Sequence, residues 1–192
     1  NINQEPIFCD QGNGDYTIDA ISPCVGSGEN SANIGAYGIG CESIPYAGPN
    51  WFVSINGSDD NDGSEENPFA TIQHGIQKAA PGDTVIVKPG TYYATNEIGH
   101  DLTIRSESGP DSTYITCSQY NNAGFAFSVS NSNPTIEGFT ITGNSTAGFY
   151  LNSGSPTIKN VKFISLSQNQ YNIITGINGS SLNLSGSLFH DI

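Results

Sequence analysis

Methionine is absent, tryptophan occurs once, and cations are scarce. Lys78, Lys88, Arg105, Lys159 and Lys162 are the only permanent positive charges in 192 residues, against 18 acids and a formal net charge of −13. A surface of that sign repels phosphate backbones and anionic headgroups, so nucleic acid and anionic membranes are poor partners. No apolar run approaches the ~20 residues of a membrane-spanning helix. There is no C-x-x-C pair and no zinc-finger spacing. A nucleophile elbow, a phosphate-binding loop and a Ser-His-Asp order are also missing. No secretory signal pattern is visible, so an exterior location would imply a processed chain or a fragment.

Charge of either sign is sparse, and most acids fall before residue 112. Disordered chains combine high charge with few β-branched and aromatic residues. Here Ile, Thr, Tyr and Phe are plentiful, and Gly, Asn and Ser punctuate them. That balance points to an all-β fold with many turns.

One phrase occurs twice in succession. Asn133-Pro134-Thr135-Ile136-Glu137-Gly138-Phe139-Thr140-Ile141 is answered by Ser155-Pro156-Thr157-Ile158-Lys159-Asn160-Val161-Lys162-Phe163, with Pro134 and Pro156 22 positions apart. A looser copy, Leu182 to Phe189, follows 26 positions after the second. A period in the twenties with a strand-like core is the mark of a solenoid, in which one rung buries its apolar face only against the next. Short apolar strands at Thr84-Val85-Ile86-Val87, Leu102-Thr103-Ile104, Tyr114-Ile115-Thr116 and Phe125 to Val129 extend the pattern upstream. Between Pro68 and Ala80 the period differs: Phe69, Ile72, Ile76 and Ala79 recur at helical steps before the stop at Pro81-Gly82. One short helix ahead of the first rung is a reasonable cap for exposed strand edges.

The stretch Trp51 to Tyr92 resembles the opening of a right-handed parallel β-helix of the pectate-lyase-like superfamily. The resemblance rests on Val53-Ser54-x-Asn56-Gly57-Ser58-Asp59, Asp62-Gly63-Ser64, Asn67-Pro68-Phe69-Ala70-Thr71-Ile72 and Ala80-Pro81-Gly82-Asp83-Thr84-Val85 running on to Pro89-Gly90-Thr91-Tyr92. It implies a fold rather than an activity, because lyases, hydrolases, adhesins and passive surface proteins share it. Residues 1–44 are similar instead to the closing rung and tail of such proteins, through Pro6-x-Phe8, Gly14-Asp15-Tyr16, Ser22-Pro23-Cys24 and Ile34-Gly35-Ala36-Tyr37-Gly38. The expected organisation is a tail at 1–44, a junction at 45–49, and a β-helix at 50–192 with its capping helix at about 68–80. An end thus precedes a beginning. Three arrangements would produce this: a window of a tandem array, a circular permutation, or subunits joined head to tail. The third makes Asn3, Pro6, Phe8, Leu188 and Phe189 an assembly surface, since uncapped strand edges template further strands.

Candidate chemistry is thin. Asp59, Asp60 and Asp62 before Gly63 suit a calcium ion, the one cofactor the sequence suggests, though a solvated turn beside a helix start serves equally. Arg105, with Asp101, Glu107 and Asp111 near it in sequence, is the one strand position matching the base of a polysaccharide lyase; an outward ion pair is the plainer reading. Glu137 and Asp191 stand too far apart for a glycosidase pair. Tyr92, Tyr93, Tyr114, Tyr120, Phe149, Tyr150 and Tyr171 are candidate rings for a sugar platform. His74, His100 and His190 are scattered.

Cys9, Cys24 and Cys41 crowd the first 41 residues, and Cys24–Cys41 is the expected disulfide because it brackets a Gly-rich loop with little core. Buried free thiols are the alternative. Asn56, Asn144, Asn178 and Asn183 head N-x-S/T sequons, acceptors for glycan in an exterior protein. These features lead to an expected extracellular, non-catalytic structural subunit assembling with itself. The alternative is a carbohydrate-active enzyme of lyase type, or a carbohydrate-binding adhesin with polysaccharide as partner.

Overall fold

The computed structural model describes residues 4–34, 37–41, 46–93, 95–116, 125–143, 147–166 and 174–190. The chain divides into two compact units, Asn1–Pro45 and Tyr46–Ile192.

The first unit holds a three-stranded sheet of β1 (Phe8–Asp10), β2 (Asp15–Asp19) and β3 (Ile39–Cys41). β1 and β2 are antiparallel, and β2 and β3 are parallel. Cys41 bonds to Cys9, while Cys24 is a free buried thiol. This corrects the expected Cys24–Cys41 pairing. Cys9 in β1 and Cys41 in β3 stand with their Cα atoms 5.9 Å apart, within bridging reach. Cys24 instead packs as a small apolar group, 3% exposed.

The second unit is a stack of coils. It opens with β4 (Asn50–Val53) and the helix α1 (Ile72–Lys78). Then follow β5 (Thr84–Val87), β6 (Gly90–Tyr93), β7 (Asn96–Ile98), β8 (Thr103–Ser106), β9 (Thr113–Thr116), β10 (Phe125–Ser130), β11 (Thr135–Glu137) and β12 (Thr140–Gly143). The series ends with β13 (Ala147–Asn152), β14 (Thr157–Lys159), β15 (Lys162–Leu166), β16 (Ile174–Ile177), β17 (Asn183–Ser185) and β18 (Leu188–His190). These strands form three all-parallel sheets. The first is β17-β14-β11-β8-β5-β4, the second β18-β15-β12-β9-β6, and the third β16-β13-β10-β7. Successive strands visit the sheets in rotation, so each circuit adds one strand to each sheet: a parallel β-helix.

Register explains the repeated phrase. In the first sheet Val85, Ile104, Ile136 and Ile158 stand in line and are wholly buried. Ile115, Ile141 and Phe163 do the same in the second. Alternation places every second side chain inside, and in-register stacking puts like upon like. In the last three coils the two-residue corner between the first and second sheets uses a left-handed residue. Gly138, Asn160 and Gly186 supply it with φ of 81°, 47° and 59°. A second recurrent corner, leaving the third sheet, uses Asn131, Ser153 and Asn178 at φ of 51°, 56° and 54°.

The helix is shorter than the expected 68–80. Phe69 bridges Val53 in extended conformation, and the Thr71 side chain caps the helix by accepting from the His74 amide at 3.2 Å. Ile72 and Ile76 are buried against the first coil, together with Trp51, Val53 and Phe69.

Candidate functional site

The acidic loop after β4 is a clasp. Asp59 accepts from the Ala70 amide at 2.9 Å, the Thr71 amide at 3.0 Å and the Thr71 hydroxyl at 2.8 Å. Asn61 donates to the Pro68 carbonyl at 2.9 Å, and Asp62 accepts from the Ser64 amide at 2.9 Å. The carboxylates thus satisfy backbone donors at the helix entry. Among the described residues no three His, Cys, Asp or Glu side chains converge into a possible ion site. Asp59, Asp60 and Asp62 are therefore not brought together as the calcium loop.

Arg105 lies in β8, half-buried, with Ile86 and Glu137 as its neighbours across the first sheet. Its sequence neighbours are committed elsewhere. Asp101 accepts from the Asn133 amide at 2.6 Å, and Asp111 pairs with Lys162. The column Arg105, Glu137, Lys159 alternates charge along an outward face, an ordinary sheet ladder.

The third sheet is different. Its outward positions are set by the inward alternation of Phe127 and Val129 in β10 and of Phe149 and Leu151 in β13, all buried. Glu97, Ser128, Tyr150 and Thr175 therefore share one outward row, strand by strand. Phe125 opens β10, and its ring meets that of Tyr150 with centroids 5.0 Å apart and planes at 37°. Both rings are half-buried. Beside them a cleft of about 400 Å³ is lined by Gln73, Glu97, Ile98, Gly99, Ser128 and Ser130. Gln73 fixes one wall by gripping the β7 backbone: its side-chain oxygen accepts from the Glu97 amide at 2.6 Å, and its nitrogen donates to the Glu97 carbonyl at 3.4 Å. The Glu97 side chain is left exposed at the rim.

Of the rings marked by sequence, Tyr150 belongs to this face. Phe149 is core, Tyr92 is buried, and Tyr93 and Tyr114 project from the second sheet. Tyr120 and Tyr171 lie outside the described residues, as do Asn144, Asn3 and Cys117. The Nε2 atoms of His74 and His100 are buried without a hydrogen-bond partner, and neither residue lines the cleft. Asn56, Asn178 and Asn183 are exposed, and Asn178 donates to Asn152 at 2.7 Å in a turn ladder. Pro6 is exposed, while Phe8 packs edge-on against Tyr16 at 5.6 Å. Glu97, Gln73, Ser128 and Phe125 were not singled out by sequence. Their meeting depends on the β7–β10 register, across a connection of irregular length.

Three comparisons bear on this geometry. A family model described as Pel9A-like, right handed beta helix region, matches residues 51–187. The uncharacterized protein YwoF of Bacillus subtilis (strain 168) is 42% identical over 77 residues, which is 40% of this chain and 15% of that protein. A rhamnogalacturonan lyase structure superposes with a TM-score of 0.51 at 16% identity, over 60% of this chain and 36% of the other. The chain thus spans a minor part of either relative, and the last likeness shows the fold alone. No helix among the described residues is long and apolar enough to cross a membrane.

Proposed function

Because the chain belongs to the Pel9A-like right-handed β-helix family, we propose that its β-helix binds a polysaccharide along the outer face of the third sheet. The observation that carries this reading is the Phe125–Tyr150 ring pair beside a cleft furnished with the hydroxyls of Ser128 and Ser130, the amide of Gln73 and the carboxylate of Glu97. Ring faces stack on the apolar faces of sugars, and rigid polar groups nearby bond their hydroxyls. The strands present these groups at fixed spacing, so little ordering accompanies binding.

Binding rather than cleavage is what these residues support. Glu97 is the single titratable side chain lining the cleft, whereas glycoside hydrolysis needs two carboxylates. Arg105 lies on another sheet. An exterior setting suits such a protein, and the Cys9–Cys41 disulfide favours an oxidising compartment. Affinity electrophoresis through gels containing a panel of plant and microbial polysaccharides tests the reading. Retardation by at least one polymer is expected, with a loss of at least about tenfold in affinity for Tyr150→Ala, the usual scale of a lost aromatic anchor. Migration unchanged by every polymer overturns it.

A second reading, self-assembly through stacked coils, has its own support. Leu184 and Phe189 occupy the register positions of the buried Ile158 and Phe163, yet are 39% and 38% exposed, and Leu188 is 52% exposed. A further coil, of a longer polypeptide or of a second copy, would cover this strip. Sedimentation velocity and negative-stain microscopy test it. Concentration-dependent end-to-end polymers are expected, and a monomer at all concentrations overturns it.

A further inference from the structure

Resting on the polysaccharide-binding reading, we infer that the cleft selects neutral glycans over uronate-bearing ones, and that Glu97 is the residue that sets this choice. The inference comes from where the charges lie. Lys88 donates to the Glu65 carbonyl at 2.9 Å and sits over the Phe52 ring at 5.7 Å, on the first sheet. Arg105 and Lys159 belong to the outward column of that same sheet. Lys162 is in the second sheet, paired with Asp111. Lys78 ends α1, five residues beyond Gln73, and does not line the cleft. None of the five cations of the chain lines the cleft. Its one charged lining group is Glu97, within a protein of formal net charge −13.

Such a site handles two glycan classes oppositely. A carboxylate accepts hydrogen bonds and donates none, which suits the hydroxyl pairs of a neutral sugar. A uronate brings a second carboxylate to a place with no cation to receive it. Like charges juxtaposed across an interface reject a partner even where its shape fits. Glu97 cannot swing its backbone away, because Gln73 holds both its amide and its carbonyl. Its row neighbours Ser128 and Tyr150 are uncharged, so no other group on the row offsets it.

The test is isothermal titration of the whole chain with two oligosaccharides of equal length, a β-1,4-linked neutral hexasaccharide and a hexagalacturonate. EDTA is present so that no divalent cation bridges two carboxylates. Wild type is expected to favour the neutral ligand at least about tenfold at low salt, with the ratio shrinking as NaCl screens the repulsion. Glu97→Gln, its folding checked by circular dichroism, is expected to reduce that ratio at least about fivefold, chiefly through better uronate binding. Equal or tighter binding of the hexagalacturonate by wild type overturns the inference and leaves polysaccharide binding standing. A ratio unmoved by Glu97→Gln overturns the role of Glu97. Binding of neither ligand, nor of any other glycan in the panel, overturns both the inference and the reading beneath it.

Discussion

The indole N–H of Trp51 donates to the Asp83 carboxylate at 2.9 Å, across 32 positions of sequence. The same oxygen of Asp83 accepts from the Ala80 amide at 2.9 Å, just past the end of α1. One acid therefore ties the first strand of the β-helix to the chain leaving the capping helix. It lies in the Ala80-Pro81-Gly82-Asp83 signature that marks the fold in the sequence, and the geometry gives that signature a structural meaning. Asp83→Ala leaves two donors without their acceptor. The expected cost is about 1–3 kcal/mol, read as a lower urea midpoint at unchanged m-value.

Tyr92 supplies a pH test. Its hydroxyl donates to the Lys88 carbonyl at 2.8 Å, and burial, aided by the Glu107 carboxylate, pushes its pKa up to about 12. The folded state holds the phenol neutral where the unfolded chain ionises at its ordinary value near 10. This contribution is therefore fully present below pH 10 and is lost as pH rises toward 12. Wild type should lose stability more steeply over that window than Tyr92→Phe, although the variant starts lower for want of a hydrogen bond. Parallel stability profiles from pH 9 to 12 would refute the assignment.

The aromatic stack grades burial along the coils. Phe149 is wholly buried between Phe127 and Phe163, with ring centroids 5.4 and 6.0 Å away. Phe189 stacks on Phe163 at 4.7 Å but stays 38% exposed. Phe149→Ala should cost about 3–5 kcal/mol, as expected of a large core deletion. Phe189→Ala should cost well under half as much, because less area leaves water on folding. Chemical denaturation of the two variants side by side checks the order.

Cys9 and Cys41 close a loop with a sequence separation of 32. On chain-entropy grounds, replacing both by Ser removes about 3–4 kcal/mol from the first unit. Limited proteolysis should then cut within residues 1–45 while sparing the β-helix. The Cys24→Ser variant should keep the disulfide, seen by peptide mass mapping as Cys9 and Cys41 left unlabelled by thiol alkylation without reductant.

Much of the β-helix was legible beforehand. Ile136 and Ile158 match in the sequence because they stack in register, and Gly138, Asn160 and Gly186 sit at one corner that the last three coils turn with a left-handed residue. The three- and four-residue period and the stop at Pro81-Gly82 marked the helix, although it starts only at Ile72 because Phe69 pairs with Val53. The acids of the Asp59 loop drew attention as metal ligands for a good reason: a carboxylate that accepts backbone hydrogen bonds and one that binds an ion look alike in sequence.

What the sequence alone determined is the coil: its period, its inward apolar line, its corners and its cap, all local consequences of alternation and backbone sterics. Two things were decided only by tertiary structure. The partner of Cys41 is Cys9, because the fold of the first unit, and not their spacing in the chain, sets their Cα atoms 5.9 Å apart. The candidate face joins Gln73, Glu97, Ser128 and Tyr150, residues spread over three strands and a helix. Outward side chains carry no periodic signal of their own, and connectors of unequal length hide the register that makes them neighbours.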